Sequence, residues 1–170
     1  MTKRQKILSW IVFGIYFAWL VWAILFKFSY PGHPLPHGRS VEWIPFAARD
    51  IEFRQTAREM TENALIFVPL GVYIAALFPK GSALAHIGAG CAVSVLFEAL
   101  QFVFALGATD ITDVLMNTAG CALGVLLWAI LHRIFGKHAI TVTNVLGLAA
   151  YTTPIDQLHN KMFQVSFLFE

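Results

Sequence analysis

Residues 7–26 read ILSWIVFGIYFAWLVWAILF, twenty positions without one charged side chain. At a rise of 1.5 Å per residue, about 20 helical residues cross a hydrocarbon core of roughly 30 Å. Lys3, Arg4 and Lys6 precede the run directly. The run exceeds the roughly 7–15 apolar residues of a signal-peptide core, and no small-residue cleavage site follows it. We therefore interpret it as a retained membrane anchor.

Three more apolar runs of similar length follow the first one. They predict an all-α fold, a multi-pass transmembrane helical bundle with about four spans at residues 7–28, 63–79, 83–106 and 112–133. A short helix at the membrane interface is expected before the second span, from about residue 48 to residue 62. It would be supported by two oppositely charged pairs at i,i+4 spacing, Asp50 with Arg54 and Arg58 with Glu62.

We divide the chain into a transmembrane domain, residues 1–138, and a C-terminal segment, residues 139–170. The apolar piece at 139–151 is too short to span a membrane comfortably, so it is either interfacial or a marginal fifth helix. Pro69 lies inside the second span. Because proline lacks a backbone donor and clashes with the preceding turn, a kink or a break is expected there.

The composition excludes several classes of protein. The chain is 58% apolar and 13% charged, whereas about 25% of the residues of soluble domains are charged. A net charge of +2 is too small to indicate a nucleic-acid partner. Cys91 and Cys121 both fall inside predicted spans and are interpreted as small apolar residues. Their spacing indicates neither a disulfide framework nor a metal site, and we expect no cofactor.

Lysine and arginine counts in the short loops favour a cytoplasmic N-terminus, with a modest bias because the first outer loop is also charged. In this orientation, polar residues at the ends of three spans converge on the outer face of the membrane. Reversing the orientation would leave them together on one face. These six candidate site residues are Asn63, Glu98, Gln101, Asp110, Asp113 and Asn117.

Inserting an ionised acid at the bilayer centre costs about 2.5–3.5 kcal/mol, so Glu98 is expected to have a structural or functional role. Its expected partners are the amides of Gln101, three residues further on, and of Asn63 or Asn117, or else a proton of its own. The structural alternative stays open: intramembrane amides and acids can simply bond helices together. Asp110 and Asp113 can likewise cap the fourth helix.

Asn117 begins a stripe that continues through Gly120 and Gly124 at helical spacing. Small residues at this spacing let another helix approach closely, which would put the polar residues between helices and away from lipid. The same stripe is a surface through which two copies of the chain could associate.

Four segments, in order, resemble the VanZ-like family of membrane proteins. They are IPF at 44–46, TENALIFVPLG at 61–71, FEALQ at 97–101 and GATDITDVLMNTAG at 107–120. The resemblance covers about residues 44–128. It implies a bacterial envelope protein, and the family's namesake is associated with resistance to teicoplanin and related lipoglycopeptides. It also implies that the family's shared polar positions are the six candidate residues. Many members carry an arginine where this chain has Ala108, which weakens a phosphate-binding role here.

The leading hypothesis is a protein that binds a lipid-linked or lipid-tailed molecule, such as a lipoglycopeptide, at the outer leaflet. Binding is favoured over catalysis. The first alternative is an intramembrane enzyme acting on an envelope lipid or cell-wall precursor, with Glu98 as general acid or base and Asp110 and Asp113 holding a divalent ion. The chain has neither an HExxH motif nor a nucleophile with an obvious base. The second alternative is a small transporter with a proline-broken helix, although the inner half of the bundle has few polar residues.

Overall fold

Helices dominate the computed structural model, which describes residues 2–25, 41–46, 53–106 and 109–152. Within these residues the helices are α1 (Lys3–Leu25), α2 (Phe53–Leu77), α3 (Ala83–Phe104), α4 (Ile111–Phe135) and α5 (Ala139–Thr152). Two short strands, β1 (Val41–Glu42) and β2 (Thr109–Asp110), and a 3-10 helix between α4 and α5 (Gly136–His138) complete the described elements. Four helical stretches are long and apolar enough to cross a membrane, the fourth of them running from α4 into α5. The predicted all-α multi-pass bundle is confirmed.

Helix α2 contains most of the predicted interfacial helix as well as the second span, which were predicted as separate elements. It is continuous from Phe53, so the predicted interfacial segment belongs, from that residue onward, to the same helix as the second span. Residues 48–52 lie outside the described part of the chain, as does the predicted pair of Asp50 with Arg54. The second predicted pair is present, with 2.7 Å between Arg58 Nε and Glu62 Oε1. The helix also continues through Pro69, so no break occurs there.

The closest helix packing joins α2 and α4, which run in the same direction and share the largest helix contact. A Cβ atom added at Gly120 would overlap the Ala64 carbonyl and lie 2.9 Å from Ala64 Cα. One added at Gly124 would overlap the Val68 carbonyl and lie 2.9 Å from the backbone nitrogen of Val72. The glycine stripe is therefore occupied by α2 of the same chain, as expected for small residues between membrane helices. Association of two copies through it stays a prediction.

Helix α1 packs across α2 and α3 through aromatic and aliphatic side chains. Tyr16 and Leu20 of α1 are buried in one cluster with Phe67 of α2 and Phe97 of α3. The Tyr16 hydroxyl donates to the backbone carbonyl of Ile66 over 2.5 Å. This bond gives the phenol a polar partner among apolar helices, where water is not available to supply one.

Polar side chains fasten α5 to α1 and α2. Asn144 Nδ2 donates to Ser9 Oγ over 3.0 Å, and Gln5 Nε2 donates to Thr141 Oγ1 over 3.0 Å. The Tyr73 hydroxyl lies 3.4 Å from Asn144 Oδ1. Because successive turns of α5 meet successive turns of α1, the two helices run parallel along the first half of α1. We call these five side chains the α5 network.

The strands join two connections at the end of the bundle where α3 ends and α4 begins. We call this the cluster end. Strand β1 pairs in parallel with β2, with Glu42 opposite Asp110. The backbone N–H of Phe46 then donates to Thr112 Oγ1 over 3.1 Å. The segment that follows β1 is therefore held against the first turn of α4.

Candidate functional site

The six predicted site residues lie on or beside three helices at the cluster end. Four of them are buried, Asn63 on α2, Glu98 and Gln101 on α3, and Asn117 on α4. Asp110 directly precedes α4 and Asp113 lies in its first turn, and both are half-buried. Because α2 and α4 run in the same direction, their first halves flank the last turns of α3. The four buried residues therefore lie between helices, as the glycine stripe predicted.

Glu98 connects α3 to the start of α4. Its side chain is only 5% exposed, and its Oε2 accepts a hydrogen bond from the backbone N–H of Asp110 over 3.0 Å. The backbone carbonyl of Glu98 accepts a second bond, from Thr109 Oγ1 over 3.3 Å. The chain can turn back over α3 because Ala105 takes a left-handed conformation (φ 52°) and ends the helix. A carboxylate is favourable there because the N-terminus of α4 carries a partial positive charge.

Asp110 has the capping role that the structural alternative predicted. Its Oδ1 accepts the backbone N–H of Thr112 over 2.8 Å, which satisfies one of the free donors at the start of α4. Asp113 lies in the first turn, where the same helix end favours an acid. Asp110 and Asp113 therefore both stabilise the N-terminus of α4, and this structural role does not depend on a ligand.

Two of the amides bond to groups other than Glu98, which corrects the expected pairing. Gln101 Nε2 donates to the backbone carbonyl of Ile24 over 3.1 Å. Asn117 Nδ2 donates to Ser94 Oγ over 2.9 Å. Gln101 lies beside the last described turn of α1, and a backbone carbonyl of that turn accepts its amide hydrogen. Ser94 lies one turn before Glu98 on the same face of α3 and is the group that meets Asn117.

The carbonyl oxygen of Asn117 is an open acceptor within the cluster. The residue is only 3% exposed, and among the described residues no donor lies within hydrogen-bonding distance of its Oδ1. Most buried polar atoms are paired, and leaving one unpaired costs about 1–3 kcal/mol. Asn117 lies one helical turn before Gly120, where α2 makes its closest approach. Asn117 is therefore enclosed by α2 on one side and, through its bond to Ser94, by α3 on the other.

The described residues contain no group of three His, Cys, Asp or Glu side chains arranged to hold a metal ion. Binding of a divalent ion by Asp110 and Asp113 stays a prediction.

Sequence reasoning did not find two of the polar contacts. The bond between Asn117 and Ser94 can be recognised only when it is known that α3 and α4 pack together. The α5 network was missed as well. The available signals were Ser9 inside the first apolar run and Asn144 inside the last one, since polar residues within membrane helices seek partners on neighbouring helices.

Comparison with known proteins extends the sequence motifs over most of the chain. The family model described as VanZ/LLP1 matches residues 13–132. The curated protein named Protein VanZ, from Enterococcus faecium, is 37% identical over 130 residues, which cover 75% of this chain and 78% of that protein. No solved structure matches the chain significantly.

Proposed function

This chain belongs to the VanZ/LLP1 family, and from that premise we propose that it lowers bacterial sensitivity to teicoplanin. It does so by engaging a lipid-tailed or lipid-linked molecule at the outer leaflet of the cell membrane. The antibiotic itself and a lipid-linked envelope precursor both have this chemistry. The ligand's polar head would meet the cluster formed by Asn63, Glu98, Gln101, Asp110, Asp113 and Asn117.

The observation that carries the proposal is a buried acceptor at the cluster end. Asn117 Oδ1 is enclosed between helices without a donor among the described residues. Burying such an atom does not stabilise the fold, because the atom loses its hydrogen bond to water and gains none within the protein. A ligand hydroxyl, amide or ammonium would supply the missing donor. Glu98, one turn beyond Ser94 on α3, would add a charged acceptor to the same head.

The apolar surroundings support a ligand that also has a hydrocarbon part. The outward faces of α3 and α4 near the cluster end expose Val103, Phe104 and Leu115. In a bilayer these side chains face lipid, so a ligand whose head reaches the cluster keeps its tail beside them at no cost in hydration. A fully polar ligand would gain nothing from this surface.

The choice of the outer leaflet rests on the distribution of positive charge. Lysine and arginine favour the cytoplasmic side of short loops, and Lys3, Arg4 and Lys6 precede α1. With the N-terminus inside, α1 ends outside, and the Gln101 side chain meets that end of α1. The cluster is then accessible from the outer surface, where glycopeptide antibiotics and their targets are found.

The first test is teicoplanin susceptibility of a sensitive Gram-positive host that expresses the wild type or Glu98→Gln at equal membrane abundance. Glutamine keeps the shape of the side chain and can still accept the Asp110 N–H bond through its amide oxygen, while the negative charge is lost and the second oxygen becomes an NH2 donor. We expect protection by the wild type and its loss in the variant. Equal protection by both proteins would refute a role of the Glu98 charge in binding.

A second pair of variants separates binding from stability at Asn117. Ser94→Ala and Asn117→Leu both remove the bond between these two side chains, but only Asn117→Leu removes the open carbonyl oxygen. The proposal requires that Ser94→Ala still protects and that Asn117→Leu does not. If both variants protect equally well, Asn117 Oδ1 binds no ligand. Thermal stability in detergent is measured for both, so that a loss of folding is recognised.

A further inference from the structure

A short apolar segment outside the helices exposes large hydrophobic side chains at the cluster end. Trp43, Ile44 and Phe46, with Pro45 among them, form this segment, which we call the WIPF segment. Its three large side chains are 76%, 71% and 56% exposed, respectively. Three large apolar side chains within four residues would be unfavourable in water, because each exposes apolar surface that is stabilised by burial.

Backbone contacts hold the segment at a defined place. On one side it follows β1, which pairs with β2 immediately before α4. On the other side the Phe46 N–H donates to Thr112 Oγ1 in the first turn of α4. Since α3 ends and α4 begins here, this is the boundary of the membrane-spanning part of the bundle. The segment is therefore held beside the ends of two candidate membrane spans.

The backbone of Phe46 is a second indication. It adopts φ 55°, in the left-handed region that favours glycine and that bulky residues rarely occupy. A phenylalanine held in this conformation has a cost, and such positions persist where the surroundings or the function require them. The conformation presents the side chain outward rather than into the bundle, since more than half of it remains exposed.

We propose that the WIPF segment inserts into the bilayer interface at the cluster end, with phospholipid as its partner. Tryptophan is enriched at this depth because its ring is apolar and its N–H is polar. Phe104, at the end of α3, and Leu115, one turn after Thr112 on α4, are exposed apolar side chains at the same end of the bundle. Because the segment is bonded to the first turn of α4, its insertion sets the depth of the polar cluster relative to the headgroups.

The inference is tested by tryptophan fluorescence of the full chain in phosphatidylcholine vesicles without any antibiotic. The difference between the wild type and Trp43→Phe isolates the emission of Trp43, and Trp22→Phe gives the same difference for a residue on α1 as the matched control. Both substitutions are conservative and exposed, so folding is expected to persist. Vesicles carry bromine either near the carbonyl end or near the methyl end of the acyl chains, and iodide is added as an aqueous quencher.

We expect the Trp43 emission to be quenched at least twofold more by bromine near the carbonyl end than by bromine near the methyl end, and to resist iodide. Emission that iodide quenches and brominated lipid does not would overturn the proposal, because the segment would then lie in water. Stronger quenching from the methyl end would also overturn it, since the segment would then lie too deep for an interfacial anchor. The vesicles contain neither the antibiotic nor a lipid-linked envelope precursor, so the position of Trp43 is measured independently of the proposed resistance function.

Discussion

Replacing Gly120 by alanine should separate α2 from α4. The added Cβ would overlap the backbone carbonyl of Ala64 and lie 2.9 Å from its Cα. Neither atom is the end of a flexible side chain, so the overlap can be relieved only by moving one helix away from the other. Such a movement weakens the van der Waals packing that holds membrane helices together.

Two opposing terms decide the magnitude. Alanine is favoured over glycine within a helix by about 1 kcal/mol. Overpacking a tight contact costs roughly 1–3 kcal/mol, and the upper value applies here because the contact is with backbone. The expected net loss is about 2 kcal/mol, or roughly a 30-fold change in the folding equilibrium.

Gly14 provides the matched control. A Cβ at Gly14 would meet nothing within 4 Å, and the residue is exposed on α1. Gly14→Ala should therefore be as stable as the wild type or more stable, by up to about 1 kcal/mol. Both variants are compared by SDS-induced unfolding in mixed micelles, followed by circular dichroism. Equal midpoints for Gly120→Ala and Gly14→Ala would refute the close approach of α2 and α4.

Three further substitutions test the polar contacts. Asn144→Leu removes the bond to Ser9 and should lower the free energy of unfolding by about 1 kcal/mol; an unchanged SDS midpoint would contradict a stabilising α5 network. Thr112→Val removes the acceptor of the Phe46 N–H, so hydrogen exchange at that amide should accelerate about fivefold, for a bond worth about 1 kcal/mol. Unchanged exchange would mean that the bond does not form in solution. Gln101→Leu breaks the contact with the end of α1 and should cost about 0.6 kcal/mol in the same micelle assay, whereas increased stability would argue against this contact.

The number of membrane spans could be predicted from the lengths of the apolar runs, and the burial of the polar residues from the unfavourable free energy of polar groups in lipid. Spans follow from the length of uncharged runs, and Glu98 must avoid lipid because an acid in hydrocarbon is expensive. The extent of α2 was harder to predict, because its charged first half, which includes Glu59 and Glu62, is typical of an interfacial helix. Nothing between that half and the apolar half breaks the helix, so the two form one element.

The individual partners could not be predicted because they depend on which helices are neighbours. Gln101 bonds to α1, and Ser94 bonds to Asn117 on α4. Sequence spacing describes neighbours on one helix, but it does not describe contacts between helices. Strand β1 is equally invisible from the sequence, since two residues are too few for a periodic pattern. Likewise α5 is too short to be recognised as a span, and its position depends on partners such as Ser9.

The pairing of β1 with β2 also determines when the site is completed during synthesis. Residues 41–42 leave the ribosome long before residues 109–110, and α2 and α3 are made between them. Glu98 likewise cannot accept its bond until Asp110 has been synthesised. The helix that carries Asn63 cannot pack against α4 until Asn117 and Gly120 have been synthesised. Contacts between residues so distant in sequence form late, because the loop must close before they can stabilise it. The polar cluster is thus among the last parts of the molecule to assemble, and a chain that stops before α4 would insert its first three helices and have no site.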